Sequence, residues 1–568
     1  MSKEIATVLI LPEGRRVETP TGRTLAEAIS PEAWLDLPCG GRGTCGRCLV
    51  KAEGILEPPE PDEMELIGPE GLGAGFRLAC RAVVSGDVTV TLQPAGPPAG
   101  KVLDGMDVSA LLECGGEFGR PGGGRREKMT CIPVARLYRS EPRYGGPFGL
   151  ALDIGTTTLA GYLIDMGDRA GCGLSPRVVA ALCATNPQVS RGADVVSRIA
   201  YASPTSSLAG SAGEGLREMT SLVLDGLNAL ASRLARAVGI STDDISCVAA
   251  VGNTCMASFF LGVSPEGLGS APYVPPFRGA LAYAARDIGL GVNPEAEVWI
   301  APAIAGYVGG DSVAVGVVAK AIDPDGTWLA VDIGTNGEIL LHARGRLFAC
   351  STAAGPAFEG DRITCGMRAM AGAIDDVRFE GPDLSPSVSV IGGGAPRGLC
   401  GSGLIRSVRE MLLNGIIDPS GKFSRGADAG RAAGVELARD PAGMPIRLTQ
   451  KDVRQLQLGK AAIRTGIDLL MEKAGIGVEH VEAIFLAGAF GNHISPEDAV
   501  GLGLLPRVSA SRIIALGNAA GTGAQLFLLS EEARDEAIRL ASTAEHVELS
   551  AICSFRDVFL SNIGFPAP

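Results

Sequence analysis

The chain has 568 residues, 46% of them apolar and 20% charged, with a formal net charge of −13. At about 150 residues per domain that length needs several hydrophobic cores, and the composition excludes a disordered chain. The acidic balance disfavours a duplex nucleic-acid binder, while 79 glycines against 5% aromatics point to the tight turns of α/β nucleotide-binding folds.

The N-terminus leads from Met1 straight into a strand-like run, without the apolar stretch of a signal peptide. The most apolar window, 298–319, is broken by Pro302, Gly309, Gly310 and Asp311, so it reads as a buried strand, turn and helix rather than a membrane span. The expectation is a cytoplasmic protein with no membrane partner, whose 14 cysteines are metal ligands or buried thiols.

In chain order, Ile5, Thr7, Leu9 and Leu11 alternate as a strand, Pro12-Glu13-Gly14 turns the chain, and Val17 and Thr19 open a second strand. Thr24 with Glu27 caps a short helix. Then comes Cys39-Gly40-Gly41-Arg42-Gly43-Thr44-Cys45-Gly46-Arg47-Cys48, with Cys80 following after 31 intervening residues. Four thiolates, three in one loop and one in a distant turn, match a plant-type [2Fe–2S] site, although the first gap is one residue longer than C-x4-C-x2-C. The glycines let backbone N–H groups approach the sulfurs, and Arg42 and Arg47 offset the cluster charge. Cys45-x-x-Cys48 alone also fits a redox dithiol or half a zinc site, but no second C-x-x-C accompanies it. The strand 88–92 closes a module over residues 1–95 that resembles ferredoxins, and its longer first gap resembles the adrenodoxin-like variant.

Residues 96–148 read as a glycine-rich linker or reduced middle domain, with one small helix near 108–113, one strand near 132–137, and Cys114 and Cys131 as incidental thiols. After it, Leu150-Ala151-Leu152-Asp153-Ile154-Gly155-Thr156-Thr157-Thr158 recurs as Leu329-Ala330-Val331-Asp332-Ile333-Gly334-Thr335-Asn336-Gly337. Strand, Asp, Gly-Thr turn and strand, twice over, predict a duplicated α/β fold with a cleft between its halves. The turn amides and hydroxyls suit a phosphate, and Asp153 and Asp332 suit a water-bridged Mg²⁺. No Walker A motif and no strand-linked G-x-G-x-x-G occurs. Leu216, Met219, Val223, Leu227, Leu230 and Leu234 form one helical stripe, and Val453, Leu456, Ile463, Ile467 and Leu470 another, running from Thr449 to Gly475. Lys460, mid-helix, could reach a phosphate but reads rather as a solvated lysine. Asn186-Pro187-Gln188 and the strings 192–198, 252–254, 354–360 and 401–404 read as cleft loops, in which Glu359 and Asp194 either orient water or metal or cap helices.

The two hairpins resemble the phosphate motifs of the acetate and sugar kinase, heat-shock-70 and actin superfamily. That resemblance implies an RNase H-like ATPase domain over 149–568, with subdomains of about 149–325 and 326–568. Ile484-Phe485-Leu486-Ala487-Gly488-Ala489-Phe490-Gly491 resembles its adenosine motif, and the strings at 305–311, with Gly309, Gly310 and Asp311, and at 517–524 resemble its two connecting helices. With the cysteine set, the 186–198 segment, the 354–360 loop and the C-terminal string 547–566, the chain resembles the reductive activators of corrinoid-dependent enzymes almost throughout.

The resemblance implies ATP-dependent reduction of Co(II) to Co(I) on a partner methyltransferase's corrinoid protein, fed by a low-potential electron donor. The implied cofactors are a [2Fe–2S] cluster, ATP and Mg²⁺. A small-molecule kinase with a fused ferredoxin, and a redox relay with a nucleotide-sensing scaffold, remain the alternatives. Two departures stand out. Longer members carry a middle domain before the first hairpin and dimerise through it, so a homodimer stays open here. Where relatives often carry histidine, this chain has Cys255-Met256.

Overall fold

The computed structural model describes residues 5–11, 14–29, 48–92, 148–166, 176–203, 213–334, 336–424, 434–441, 443–488 and 494–567. Cys39, Cys45, Thr335, Ala489, Phe490, Gly491 and the elements expected within 96–148 lie outside the described residues, apart from Phe148.

Near the N-terminus, β1 (Ile5–Leu11), β2 (Arg15–Pro20), β3 (Leu49–Leu56), β4 (Phe76–Leu78) and β5 (Val84–Thr91) form one sheet in the order β2-β1-β5-β3-β4. β1 pairs antiparallel with β2 and parallel with β5, which is the β-grasp arrangement. The short helix Leu25–Ile29 starts as expected: Glu27 accepts from the Thr24 amide at 2.8 Å and Thr24 Oγ1 accepts from the Glu27 amide at 3.2 Å. The phase of β1 is the reverse of the sequence reading. Ala6, Val8 and Ile10 are buried, whereas Ile5 is 70% exposed and Leu9 and Leu11 are half-buried. The strand is apolar on both faces, so alternation alone could not tell which face the helix covers.

From residue 148 onward, β6 (Phe148–Ile154), β7 (Thr158–Asp165), β8 (Arg177–Thr185), β9 (Ile245–Gly252), β10 (Leu281–Ala284) and β11 (Glu297–Ile300) form a six-stranded sheet in the order β10-β11-β9-β6-β7-β8. β6, β7 and β8 are an antiparallel meander, and β9 and β11 extend it in parallel. The second half repeats this plan. β12 (Trp328–Ile333), β13 (Gly337–Ala343) and β14 (Arg346–Thr352) are its meander. An insertion follows, made of β15 (Ala373–Glu380), β16 (Ser385–Val390), β17 (Gly398–Leu399), β18 (Val435–Arg439) and β19 (Pro445–Leu448). β20 (Ala483–Ala487) and β21 (Ile513–Gly517) then pair in parallel beyond β12, and β22 (Glu545–His546) adds to the far edge. Without the edge strands β10 and β22, both halves run third, second, first, fourth, fifth across the sheet, the duplicated RNase H-like order.

The predicted stripes are core. Met219, Val223, Leu227, Leu230 and Leu234 are buried on the helix Glu214–Val238, and Val453, Leu456, Ile463, Ile467 and Leu470 on the helix Gln450–Ala474. Thr449 and Asp452 form a capping box, and Gly475 ends the helix at φ 65°. Lys460 on this helix is not solvated. It is 2% exposed, donates to the Gly564 carbonyl at 2.5 Å and faces the Phe565 ring at 5.6 Å, pinning the C-terminal segment to the helix. Burial lowers its pKa to about 8.

One apolar cluster joins the halves. It contains the helices Gly310–Ile322 and Ala519–Leu529 together with residues of both sheets. The two helices cross so closely that a Cβ at Gly523 would stand 2.8 Å from Ala314 Cα. The small-residue crossing expected from 305–311 and 517–524 is therefore present, but 305–309 is loop and the first helix begins at Gly310. The string 401–404 is likewise not a loop: it opens the helix Gly401–Leu413.

Candidate functional site

Asp153 and Asp332 occupy matching places. Each is the penultimate residue of the first strand of its meander, next to a tight turn. In the first turn, Gly155 N–H donates to the Thr158 carbonyl at 2.9 Å, and a Cβ on Gly155 would lie 2.6 Å from that oxygen. The turn is held from outside by amides. Asn186 Nδ2 donates to the Gly155 carbonyl at 2.9 Å, and Asn253 Nδ2 donates to Thr156 Oγ1 at 3.0 Å. Both asparagines also cap short helices, which fixes their side chains. In the second turn, Gly334 N–H donates to the Asn336 carbonyl at 2.9 Å, and Gly337 opens β13.

The connecting helices bring further groups to the same place. Asp311 lies in the first turn of the helix Gly310–Ile322, with Gly309 as its N-cap, packed against the backbone of Asn253 and Thr254. Asn518, N-cap of the other helix, donates to Asp153 at 2.8 Å and accepts from the Gly521 amide at 2.8 Å, so it ties the second half to the first hairpin. At the end of β20, Gly488 (φ +84°) turns so close to Asp332 that a Cβ would come 2.4 Å from Asp332 Oδ1.

The acids perturb one another. Burial pushes Asp153 up to about 7 against the pull of Asn518, with Asp311 adding repulsion. Asp332 also rises to about 7, through burial and then the charges of Asp311 and Asp153. Burial raises Asp311 to about 6, and Glu338 is raised well above the ordinary carboxylate range by burial and by Asp311 and Asp332. Glu338 sits opposite Asp332 in the register of β12 and β13, and Ser351 Oγ donates to it at 3.3 Å. The sequence reading missed it; the signal available was its place one residue beyond the Gly-Thr-Asn-Gly turn. Among the described residues, no three His, Cys, Asp or Glu side chains converge tightly enough to ligate a metal directly. Carboxylates that meet electrostatically without forming a cage suit a small hard cation that keeps its own waters.

Two cleft residues left open by the sequence separate here. Asp194 caps the helix Val195–Ala202, accepting from the Ser197 amide at 2.7 Å. Glu359 instead reaches across the cleft, where Thr157 Oγ1 donates to its Oε2 at 3.2 Å. A cavity of about 360 Å³ is lined by Asp376, Ser402, Ile405, Arg406, Ile494 and Asp498 among others. Arg406 is held there by Asp376 at 3.1 Å, Asp498 at 3.1 Å and Glu410 at 2.9 Å. Sequence reasoning flagged the start of its helix, 401–404, but not the arginine.

In the N-terminal sheet, Cys48 and Cys80 are both buried, with sulfurs 3.2 Å apart across 32 positions of sequence. Two facing thiols suit a shared soft metal centre. Glu63, wholly buried and missed by the sequence reading, fixes the approach to Cys80: it accepts from Arg77 at 2.9 and 3.0 Å and from the Leu78 amide at 2.7 Å. No helix among the described residues is long and apolar enough to cross a membrane.

Comparison with known proteins agrees with this layout. Residues 8–85 match the 2Fe-2S iron-sulfur cluster binding domain, 148–324 the RACo middle region, and 326–568 the C-terminal ASKHA domain of RACo. The chain is 32% identical to the corrinoid activation enzyme RamQ of Eubacterium limosum, over 94% of each chain. It is 28% identical to the [Co(II) methylated amine-specific corrinoid protein] reductase of Methanosarcina barkeri, over 47% of this chain and 52% of that one. Its structure is similar to that of a reductive activator for a corrinoid, iron–sulfur protein, at 28% identity and a TM-score of 0.66, covering 99% of this chain and 98% of the other.

Proposed function

The chain belongs to the reductive activators of corrinoid proteins, and from that premise we propose that it moves one electron from an N-terminal [2Fe–2S] cluster to the Co(II) corrinoid of a partner methyltransferase's corrinoid protein, restoring Co(I), with Mg-ATP bound and hydrolysed between the two hairpins. The carrying observation is the cleft itself: Asp153 and Asp332 at matching strand ends, coupled electrically to each other and to Asp311.

Cys39, Cys45, Cys48 and Cys80 hold the cluster in this reading, and the cluster supplies one-electron carriage when bound. The buried Glu63–Arg77 pair keeps the Cys80 turn in place. Gly155, Thr156, Thr157 and Thr158 on one side, and Gly334, Thr335, Asn336 and Gly337 on the other, offer amides and hydroxyls to the phosphates. The Gly488, Ala489, Phe490 and Gly491 string, which resembles an adenosine motif, receives the nucleoside in this reading. Asp153, Asp332 and Asp311 would hold a hydrated Mg²⁺, which would offset the phosphate charge. Gly309 lets the first connecting helix sit against Gly252, Asn253 and Thr254, where Asn253 braces the first hairpin, and Gly310 lets it pass Ala301.

A coupling to ATP has a thermodynamic purpose. Each tenfold in the equilibrium constant of a one-electron transfer corresponds to about 59 mV, so a donor at about −400 mV cannot populate a much lower-potential acceptor unaided. Closure of the halves about the Gly523–Ala314 crossing is the motion through which the nucleotide acts.

The test is anaerobic. The chain, reduced by a low-potential donor, is mixed with a Co(II) corrinoid protein, and the absorption spectrum is followed with and without Mg-ATP. Co(I) should form only with Mg-ATP, and Cys45→Ser should abolish it while leaving nucleotide binding intact. Nucleotide turnover with phosphate transfer to a small acceptor, and no Co(I), would instead favour a kinase.

A further inference from the structure

We propose that Glu359 is a catalytic residue, the carboxylate that orients and deprotonates the water attacking the terminal phosphate of ATP. This deepens the reading of the hairpins as a nucleotide clasp and rests on it.

Glu359 is placed by the core rather than by chance. It ends the 3₁₀ turn Pro356–Glu359, in which Ala357 and Phe358 are buried. The turn is pressed onto the helix Gln450–Ala474: a Cβ at Gly459 would lie 2.8 Å from the Ala354 carbonyl and 2.9 Å from the Phe358 ring. On its exit side Gly360, at φ +75°, abuts the Met367 carbonyl, where no side chain fits. A half-buried carboxylate on such a mount has a defined direction.

That direction is toward both hairpin tips. Oε2 accepts from Thr157 Oγ1 of the first hairpin at 3.2 Å. Oε1 stands 3.9 Å from where a Cβ of Gly334, in the second hairpin, would be. A group from the second half therefore meets both turns at the point where they face each other. Asp311 and Asp153 raise Asp332, and Asp311 and Asp332 raise Glu338. The field of Glu359 reaches Arg198, a wholly buried arginine whose Nε donates to the Gly192 carbonyl at 2.8 Å. The acids at the strand ends already supply the charge a cation needs. A separate carboxylate at the tips suits proton abstraction.

In the proposed step the water oxygen bonds to the γ-phosphorus while the bond to the β,γ-bridging oxygen breaks. ADP leaves with that electron pair, and the water proton passes to the Glu359 carboxylate and on to solvent. The products are ADP, inorganic phosphate and a proton, with no redox change.

The test uses the full chain with Mg-ATP, reading affinity by calorimetry and turnover by phosphate release. Glu359→Gln keeps an acceptor for Thr157 but takes no proton. It should bind Mg-ATP within about threefold of wild type while turnover falls about 10²–10³-fold. Glu359→Asp, which keeps the charge, should fall between the two. Wild-type turnover by Glu359→Gln overturns the proposal and leaves the clasp intact. Loss of Mg-ATP binding by a folded Glu359→Gln also overturns it, since the residue then serves binding. If Glu359→Gln does not fold, Glu359→Asp decides: turnover equal to wild type overturns the proposal, and reduced turnover at unchanged affinity upholds it. No Mg-ATP binding by the wild type overturns both readings together.

Discussion

The two hairpins share a sequence pattern and a place in the sheet, yet they are built to different ends. The first is braced. Asn186 and Asn253 hold its turn, Asn518 holds Asp153, and Glu359 holds Thr157. The second is crowded with charge. Asp332 faces Glu338 across β12 and β13 and lies against the Gly488 turn. Duplication supplied one frame, and divergence made one copy a rigid edge and the other the more acidic wall. The teaching is that a repeated motif locates a cleft, while the neighbours of each copy decide what it contributes.

The sharpest way to break this comparison is to remove each acid in turn. Asp332→Ala and Asp153→Ala should each lower ATP-dependent corrinoid reduction by at least about 10²-fold while sparing the cluster spectrum. Full activity in either variant would show that its hairpin is an ordinary turn.

The glycines offer a contrast at the same position of the two copies. A Cβ on Gly155 meets the Thr158 carbonyl at 2.6 Å, so Gly155→Ala should destabilise the fold by about 1–3 kcal/mol. On Gly334 the nearest atom would be 3.7 Å away, so Gly334→Ala should change stability by less than about 0.5 kcal/mol. Denaturant midpoints compare the two, and equal losses would contradict the braced-versus-open picture.

Asn518→Ala removes both a helix cap and an amide donated to Asp153 from the opposite half. A loss of about 1–2 kcal/mol is expected in the same titration.

The smallest expected effect is a pH dependence. Asp153 and Asp332 titrate near 7 in the folded chain, above the ordinary carboxylate value of 3.8, so folding favours their protonated forms. Their contribution to stability is complete below about pH 4 and is lost as pH rises through about 7. The thermal midpoint without nucleotide should therefore fall by a few degrees between about pH 5.5 and 8, and saturating Mg-ATP should remove that fall. A nucleotide-free midpoint flat across this range would contradict the coupled acids.

Local pattern carried much of this layout in the sequence. The Asp-x-Gly-Thr repeat, the capping boxes at Thr24 and Thr449, and the stripes at 219–234 and 453–470 depend on neighbours within a few residues, and each is present. What escaped depends on distant partners. The buried side of β1 is set by what packs on it. Lys460 is buried because the C-terminal segment, 104 residues away, brings a carbonyl to it. Glu63 looks like a surface helix acid until Arg77 and the Leu78 amide close on it. Glu359 and Arg406 escaped because groups that orient them, Thr157 for the one and Asp376 and Asp498 for the other, come from distant parts of the chain.

The account stands on the claim that the two hairpins make one nucleotide site, and the most direct measurement is a calorimetric titration of Mg-ATP into the full chain, its Asp153→Asn variant and its Asp332→Asn variant. One Mg-ATP per chain, with affinity lost in both variants, is the predicted result. Two independent sites, or undiminished affinity in either variant, would contradict it.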